Sequence, residues 1–422
     1  MKKLFKDKDL CKKLLWTLFV FLIYRFGCSL AIPGISSVGL KFSADSLFAL
    51  MNVLGGGALS KFSIFALGVG PYITASIVVE LLAVGVVPAF TEWKNDGVKG
   101  AQKTERATRF LGFGLAILQA FFITYGFDKQ YGIMKSTSAG SYIFVIMMLT
   151  AGAMLMIWLG DLITKKGVGN GLSMLIFAGI ISSMPATFVE TFETLIPGLK
   201  GSKLAHGVVE FILFILFYLL LIFLVTKVET AERRVPIQAN GTFATGSNMS
   251  FMPIRVNSAS VIPVIFAQTL LTVPQTIASF ISTKAYTKVS AFLSLGSARG
   301  LILYGVMTFL FTFMYTDIIL DPEEIADNFK KQGTFIPGVR PGKDTEKILG
   351  RIILSTTFTG AVCLTVIALL PYLLAKFTSL STVAALGGTG IIVAVGVAIE
   401  TIETIESKLT TDKYKNYGGW FH

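Results

Sequence analysis

Long apolar stretches separated by short polar segments dominate this chain. A transmembrane helix needs about 20 mostly apolar residues, and the chain offers ten candidate stretches. They cover residues 14–32, 68–88, 107–126, 142–160, 172–188, 208–226, 258–280, 299–320, 351–372 and 382–402. The alternating pattern typical of the strands of a membrane β-barrel is absent from the sequence. The pattern therefore predicts an all-α polytopic membrane protein with ten transmembrane helices.

The composition supports this class and argues against most kinds of chemistry. Of the 422 residues, 53% are hydrophobic and only 15% are charged, whereas soluble domains carry about 25% charged residues. The cysteines (Cys11, Cys28, Cys363) and the histidines (His206, His422) lie too far apart for a disulfide framework or a common metal motif. No phosphate-binding G-x-x-x-x-G-K-[ST] motif occurs. We therefore expect no cofactor, no metal and no enzymatic activity, so a partner must supply any energy.

The positive charges predict the orientation in the membrane. With the N-terminus in the cytoplasm, 26 of the 37 Lys and Arg residues lie in cytoplasmic segments and ten lie outside. Arg25 falls within the first span. Lys and Arg are enriched in cytoplasmic loops, so we expect both termini to be cytoplasmic. Many of these charges fall in two long loops, 227–257 and 319–350, which suggests docking surfaces; orientation and attraction to anionic lipids are the simpler explanation.

The two parts of the chain resemble each other weakly. The second and seventh spans each carry an early proline, Pro71 and Pro263, and Gly-x-Gly motifs occur at 169–171 and 388–390. In both cases the related spans are five apart. A repeat unit with an odd number of spans must invert its orientation, which predicts two inverted five-helix halves around a central pore, residues 1–188 and 189–422. Such halves occur in both transporters and channels.

Residues 55–76 read GGGALSKFSIFALGVGPYITAS and raise a separate question. The first part is too short and too polar to cross a bilayer alone, yet it leads directly into the second span. A half-helix can exist at membrane depth only where protein or a water-filled cavity satisfies its ends. The glycines would allow it to swing. Both a hinged plug over about 55–67 and a fixed re-entrant loop remain open.

Several motifs, in order and at matching spacing, resemble the SecY family of protein-translocation channels over essentially the whole chain. The motifs are IPGI at 32–35, GGALSKFSIFALGVGPYITASI at 56–77, ERRVPIQ at 232–238, VNSASVIPVIFA at 256–267, DPEEIADNFKKQGTFIPGVRPGKDT at 321–345 and LGGTG at 386–390. The resemblance implies a gated conduit that passes unfolded secretory polypeptides across the bacterial plasma membrane. It also implies that hydrophobic segments leave sideways into lipid through a lateral gate.

The resemblance implies three sets of residues within the membrane. The pore ring would comprise Val69, Ile73, Leu172, Ile176, Ile265 and Val393. The plug, a short helix, would comprise Gly56, Gly57, Ala58, Leu59, Ser60, Lys61, Phe62, Ser63, Ile64 and Phe65. The lateral gate would include Thr74, Ser76, Ile77, Gln119, Gln268 and Thr269. An aliphatic ring suits a conduit for any sequence, because it offers no specific hydrogen bonds; we expect polar contacts at the gate to hold it closed.

The resemblance also implies a docking face in the cytoplasm. Arg233, Arg234, Arg340 and Lys343 would contact the motor ATPase SecA or the ribosome, and small membrane subunits, SecE and SecG, would accompany the chain. Signal peptides and nascent secretory or membrane proteins would be the substrates. The loop tip at 239–248 departs from the family pattern, because it lacks the usual aromatic and basic residues.

An ion-coupled transporter for small solutes is the main alternative. It would share inverted halves and broken helices, but it needs charged groups that converge near the midplane of the membrane. The membrane-embedded charges here, Arg25, Glu80, Asp317 and Glu400, are scattered along the sequence. An intramembrane enzyme is a weaker alternative, since no span contains a histidine or an acidic pair.

Overall fold

A computed structural model describes most of the chain. The described residues are 8–36, 47–83, 87–196, 202–239, 250–281, 288–289, 291–377 and 382–418. Seven helices precede residue 197 and one begins at Ser202. Their bounds are α1 Lys8–Ser29, α2 Leu47–Leu54, α3 Gly70–Leu81, α4 Pro88–Asn95, α5 Gly97–Tyr131, α6 Ala139–Lys166, α7 Gly171–Leu195 and α8 Ser202–Glu229.

Three strands and five further helices follow α8. Their bounds are β1 Glu232–Ala239, β2 Ser250–Arg255, α9 Ile262–Ile281, α10 Ala298–Ile319, α11 Pro322–Lys331, β3 Thr334–Phe335, α12 Lys343–Phe377 and α13 Thr382–Gly418. Each of the ten predicted spans overlaps one of these helices. Within the described residues, seven helical segments are long and apolar enough to cross a membrane, and α3 and part of α9 are shorter apolar helices. The helical membrane fold is thus confirmed, and the count of ten spans stays a prediction.

Local sequence signals set several helix starts. Pro71 and Pro263 each occupy the second position of a helix, α3 and α9, where proline is tolerated because its missing N–H would have had no partner. Asn170 caps α7: its Oδ1 accepts a hydrogen bond from the Leu172 N–H at 3.1 Å. The second Gly-x-Gly motif differs from the first, because Gly390 lies inside α13 and not at its start.

The cytoplasmic loops contain a small sheet that the all-α prediction did not include. β1 lies between β2 and β3 and pairs with both in antiparallel fashion, with Glu232 opposite Arg255 and Gln238 opposite Phe335. Val235 is buried and Ile237, two residues on, packs against the same cluster, whereas Arg233 and Arg234 are exposed, so the strand is half-buried. The two loops that we expected to act in docking are therefore joined into one folded unit.

The prediction of a helix over residues 55–67 is wrong. The short helix is α2, which ends at Leu54, and residues 55–69 form a series of turns. Gly56 and Gly57 adopt positive φ angles of 67° and 82°, and Phe62 adopts 45°, so the right-handed helix cannot continue. Residues 58–67 instead pack as a compact segment with Leu59 and Phe62 fully buried.

Backbone pairing fixes that compact segment against the end of α1. The Ile32 N–H donates to the Phe62 carbonyl at 3.2 Å, and the Ile64 N–H donates to the Leu30 carbonyl at 3.1 Å. These partners are about 30 residues away in sequence, so no local pattern predicts them. The half-helix that we placed at 55–67 thus begins eight residues earlier, at Leu47.

Candidate functional site

The six residues of the predicted pore ring lie in one hydrophobic cluster. Val69, Ile176, Ile265 and Val393 are buried members, and Ile73 and Leu172 pack against them. They come from α3 and the residue before it, from α7, from α9 and from α13, so both predicted halves contribute. We call these six side chains the collar; all six are aliphatic, and the cluster brings them together from widely separated parts of the sequence.

A cavity of about 250 Å³ adjoins this collar. Its walls include four of the predicted ring residues (Val69, Ile73, Ile176, Ile265) and four of the predicted gate residues (Thr74, Gln119, Gln268, Thr269). Most of the remaining wall is apolar, including Met156, Leu175 and Phe122. Protein interiors rarely contain voids much larger than a water molecule, so a space of this size between helices marks a site where packing is incomplete.

The end of α2 closes one part of the cavity. Met51, Leu54 and Gly55 line it, and Leu54 also packs against the collar cluster. The sequence prediction missed Met51 and Leu54, because it started the plug at the glycines. The apolar run LFALMNVL immediately before those glycines could have revealed the helix. The end of α2 and the glycine turn after it therefore lie beside the collar, and together we take them as residues 47–57.

The predicted plug residues after Gly57 are divided between two clusters: Ala58 and Phe65 belong to the cluster that contains the collar, and Leu59 and Phe62 belong to a second one. Leu59 and Phe62 are buried with residues of α5 and α6, and the Phe62 and Phe127 rings stand edge to face at 6.1 Å between centroids. Gly152 of α6 leaves room for the Ile64 backbone, since a Cβ on Gly152 would lie only 1.9 Å from the Ile64 carbonyl oxygen. Lys61 is exposed. Apart from Lys61, residues 58–65 thus belong to the packed interior, whereas Gly56 and Gly57 belong to the turn after α2.

Four of the six predicted gate residues face the cavity, but the hydrogen bonds of Thr74 and Thr269 do not cross it. Thr74 and Thr269 donate to carbonyls of their own helices, Gly70 and Ile265, at 3.0 and 2.8 Å. Gln268 Nε2 lies 3.2 Å from the Tyr304 hydroxyl of α10. An apolar contact does join the two sides: Ile77 of α3 is buried in a cluster with residues of α9 and α10. Apolar packing contributes to the junction between α3 and α9.

Two of the four membrane-embedded charged residues, Arg25 and Glu80, have hydrogen-bond partners in the structure. Arg25 Nη1 donates to the Gly56 carbonyl at 2.9 Å. Glu80 Oε1 accepts a hydrogen bond from the Ser76 hydroxyl at 3.2 Å, one turn earlier in α3. The Ser76 hydroxyl therefore donates its hydrogen bond within α3. Arg25 links α1 to the turn that follows α2.

The predicted docking residues are exposed on one folded unit of the cytoplasmic loops, which we call the docking unit. Arg233 and Arg234 lie exposed on β1, and Arg340 and Lys343 lie exposed between β3 and the start of α12. Because β1 pairs with β3, the two groups belong to one unit, whose core includes Val235, Ile336 and Leu349. The loop tip at 240–249 lies outside the described residues.

The Arg340 loop has a defined shape. Gly338 and Gly342 flank it with positive φ angles of 82° and 107°, and the Thr345 hydroxyl donates to the Arg340 carbonyl at 2.9 Å. The preceding helix α11 is capped as its sequence predicts, since Asp321 Oδ1 accepts from the Glu323 N–H at 2.9 Å. The basic side chains thus project from a backbone that is held in place.

Comparison with known proteins identifies the family. The profile of the SecY family matches residues 63–402. A relative from Lactobacillus kefiranofaciens subsp. kefiranofaciens, named protein translocase subunit SecY 1, is 38% identical over 425 residues, which cover 99% of each chain. The chain belongs to the SecY family.

Solved structures agree with this SecY fold. A protein-conducting channel matches with a TM-score of 0.67 at 19% identity, over 94% of this chain and 92% of the other. A SecY channel, whose plug domain is described as stabilising the closed state and maintaining a membrane seal, matches with a TM-score of 0.65 at 19% identity and the same coverage. A yeast Ssh1 complex bound to the yeast 80S ribosome matches with a TM-score of 0.63 at 16% identity, over 93% and 89% of the two chains.

Proposed function

We propose that this chain is the pore subunit of a protein translocase in the bacterial plasma membrane. It conducts unfolded secretory polypeptides through the collar of Val69, Ile73, Leu172, Ile176, Ile265 and Val393, and it releases hydrophobic segments into lipid between α3 and α9. Both termini lie in the cytoplasm. The 38% identity to a translocase subunit over nearly the full length supports this function.

The observation that carries the proposal is the aliphatic collar beside an incompletely filled cavity. Its side chains come from four separate parts of the sequence and from both predicted halves. A narrow apolar constriction resists wetting when it is empty, so it limits the passage of ions. It also offers no specific hydrogen bonds, so it can close around extended chains of many sequences.

The lateral exit lies at the cavity, between α3 and α9. Thr74, Gln119 and Thr269 line a space in which a hydrophobic segment could replace weak polar and apolar contacts. Polar contacts between membrane helices contribute only about 0.6–2 kcal/mol each. Such contacts hold two helices together and still let them part when a signal peptide binds.

The energy and the direction come from partners on the cytoplasmic face. Arg233, Arg234, Arg340 and Lys343 form an exposed basic surface that suits acidic groups of the SecA ATPase or phosphates of ribosomal RNA. The ribosome-bound yeast relative supports the second partner. We expect SecE and SecG to co-purify as small membrane subunits, and anionic lipids to bind the basic cytoplasmic segments.

Photocrosslinking from the collar tests the proposal. A photoreactive amino acid is placed at Ile73 or Ile265, and a secretory chain is stalled halfway through the channel. A probe at Leu219 serves as the control, because this residue is 61% exposed on the outer face of α8. We expect crosslinks to the stalled chain from positions 73 and 265 and none from position 219.

The same probes distinguish a conduit from a solute transporter. A panel of radiolabelled amino acids, sugars and ions is tested for uptake by proteoliposomes that contain the purified complex. Crosslinks to the polypeptide without solute uptake support translocation. Saturable uptake of a small solute, with no crosslink from Ile73 or Ile265, would overturn it.

A further inference from the structure

The carbonyl groups at the end of α2 accept hydrogen bonds from two neighbouring helices. The Ser183 hydroxyl of α7 donates to the Val53 carbonyl at 3.1 Å. Arg25 Nη1 of α1 donates to the Gly56 carbonyl at 2.9 Å, and the Cys28 thiol lies 3.7 Å from the Gly55 carbonyl. The Val53 and Gly55 carbonyls also accept from the Gly56 and Ala58 N–H groups of the following turn, at 3.2 and 3.3 Å. The side-chain bonds therefore add to the backbone bonds that end α2.

Arg25 differs from the other two donors because it is charged. The C-terminal end of a helix carries a partial negative charge, which favours a nearby cation. The bond to Gly56 therefore combines a charge-assisted hydrogen bond with attraction to the helix end. Of the donors that hold α2, Arg25 is the one expected to contribute most.

The turn after α2 fits closely against α1 and α7. A Cβ on Gly56 would lie 3.2 Å from both the Tyr24 hydroxyl and the Gly179 Cα, and Gly56 has a positive φ of 67°. A Cβ on Gly179 would lie 2.3 Å from the Leu54 carbonyl oxygen. Glycine is the residue that fits at both points, so α2 and its turn are complementary in shape to the surface of α1 and α7.

We propose that Arg25 is a positioning residue that latches α2 over the collar in the resting channel. This inference rests on the proposed function. It assigns residues 47–57 as the movable element, which is released when Arg25 loses its hydrogen bond to the Gly56 carbonyl. A polypeptide that enters the collar must displace Leu54, which packs against it. The latch sets how easily that displacement occurs.

The test replaces Arg25 and measures the position of α2. In a background with Cys11→Ser, Cys28→Ser and Cys363→Ser, Met51→Cys reports on α2 because Met51 lines the cavity. Arg25→Met removes the charge and the donor but keeps an unbranched apolar chain that suits a membrane span. Arg25→Gln is a second variant, because its shorter side chain ends well before the position of Nη1.

Two readouts follow in proteoliposomes without substrate: ion leakage, and the rate at which a water-soluble thiol reagent labels the cysteine introduced at position 51. Loss of one charge-assisted hydrogen bond is expected to raise the displaced population about tenfold, and both readouts should rise accordingly in Arg25→Met and Arg25→Gln. Arg299→Met is the matched control, since Arg299 is exposed at the start of α10, on the same predicted side of the membrane. We expect no change there.

Unchanged leakage and labelling in either folded Arg25 variant would overturn the latch. Translocation of a secretory protein by the parent chain is measured in the same vesicles. If the parent translocates and the Arg25 variants neither leak nor label faster, the latch fails and the channel function stands. If the parent does not translocate, the channel function fails, and the labelling still decides the position of α2.

Discussion

The two predicted halves meet at two junctions that are packed differently. At the first, the fixed junction, α7 lies against α8 and α13. A Cβ on Gly390 of α13 would lie 3.2 Å from Ile180 Cγ2, and the Thr401 hydroxyl lies 3.2 Å from Met174 Sδ. At the second, the cavity junction, α3 and α5 face α9 across a space of about 250 Å³. Dense packing resists separation, so we expect the cavity junction to be the side that opens.

The position of α2 extends this contrast. Ser183 of α7 bonds the Val53 carbonyl, and a Cβ on Gly390 would lie 3.7 Å from Val53 Cγ1. The short helix is therefore held by the fixed junction and by Arg25 of α1. Ala49 and Leu54 of α2 also pack against the cluster in which Ile77 of α3 meets α9 and α10, so we expect opening of the cavity junction to loosen α2 without itself breaking its bonds to Arg25 and Ser183.

The largest effect is expected from linking each junction covalently. All three native cysteines are first replaced by serine. In one protein, Thr74→Cys and Thr269→Cys are joined across the cavity by a short bifunctional thiol reagent, since both residues line the same space. Translocation, measured as protease protection of a secretory protein, should be abolished, because the helices can no longer part.

The matched control links the fixed junction through Gly390→Cys and Ile180→Cys. A Cβ at 390 would lie 3.2 and 3.9 Å from Ile180 Cγ2 and Cγ1, so the same bifunctional thiol reagent can join the two cysteines. This link should leave translocation within about twofold of the unlinked protein, because we expect the fixed junction to stay closed. A twofold change corresponds to less than about 1 kcal/mol of free energy, since 1 kcal/mol is about fivefold. Loss of activity in both proteins would show that the two junctions move together.

Reversing one charge on the docking face should have the next largest effect. Arg340→Glu replaces an exposed cation on the loop held by Gly338 and Gly342. SecA-driven translocation should be lost while the protein stays folded, because the loop backbone does not depend on this side chain. Lys99→Glu is the control: it makes the same charge change on exposed α5, and it should keep normal activity. Normal secretion by Arg340→Glu would contradict the docking assignment.

The sequence predicted elements that depend on residues close in sequence, and it failed for elements that depend on residues far apart in sequence. Helices such as α11 were predictable, because Asp321, Pro322 and Gly333 act within a few residues. The helix assigned to 55–67 was wrong, because pairing of Phe62 with Ile32 overrides local preference. The sheet was missed for the same reason: Glu232 pairs with Arg255, more than 20 residues away.

The collar depended on a different kind of information. Val69, Ile176 and Val393 look like any buried aliphatic residues, and only the resemblance to a family selected them. Arg25 was noticed as a charge in a span, yet its partner was not predictable, since the Gly56 carbonyl becomes available only through the fold. A sequence alone predicts which side chains are unusual more readily than which atoms they bind.

A moderate effect is expected from polarity within the collar. Ile265→Asn places an amide among aliphatic side chains, where burial of an unpaired polar group costs about 1–3 kcal/mol in protein mutants. Water that enters to satisfy the amide should raise the ion leakage of resting proteoliposomes several-fold. Ile265→Val, which keeps the collar apolar, should leak like the parent. An equally tight Ile265→Asn channel would mean that α2, and not the collar, forms the barrier.

The smallest effect is expected where the docking unit meets the fixed junction. Arg255 Nη2 lies 2.5 Å from Glu403 Oε2, which links β2 to α13. Both side chains are partly exposed, at 48% and 34%, and exposed ion pairs contribute only about 0–1 kcal/mol. Arg255→Gln should therefore lower the thermal stability slightly, and a double-mutant cycle with Glu403→Gln should give a coupling that weakens as salt is added.

Translocation by Arg255→Gln decides what the fixed junction does. Near-normal activity is expected, because Val235, Leu349 and Ile353 still join the docking unit to α12 through a buried core. If Arg255→Gln instead loses as much activity as Arg340→Glu, while Glu403→Gln does the same, the ion pair must transmit motion from the docked partner to α13. The fixed junction would then move during gating, and the contrast between the two junctions would lie in their timing and not in which of them moves.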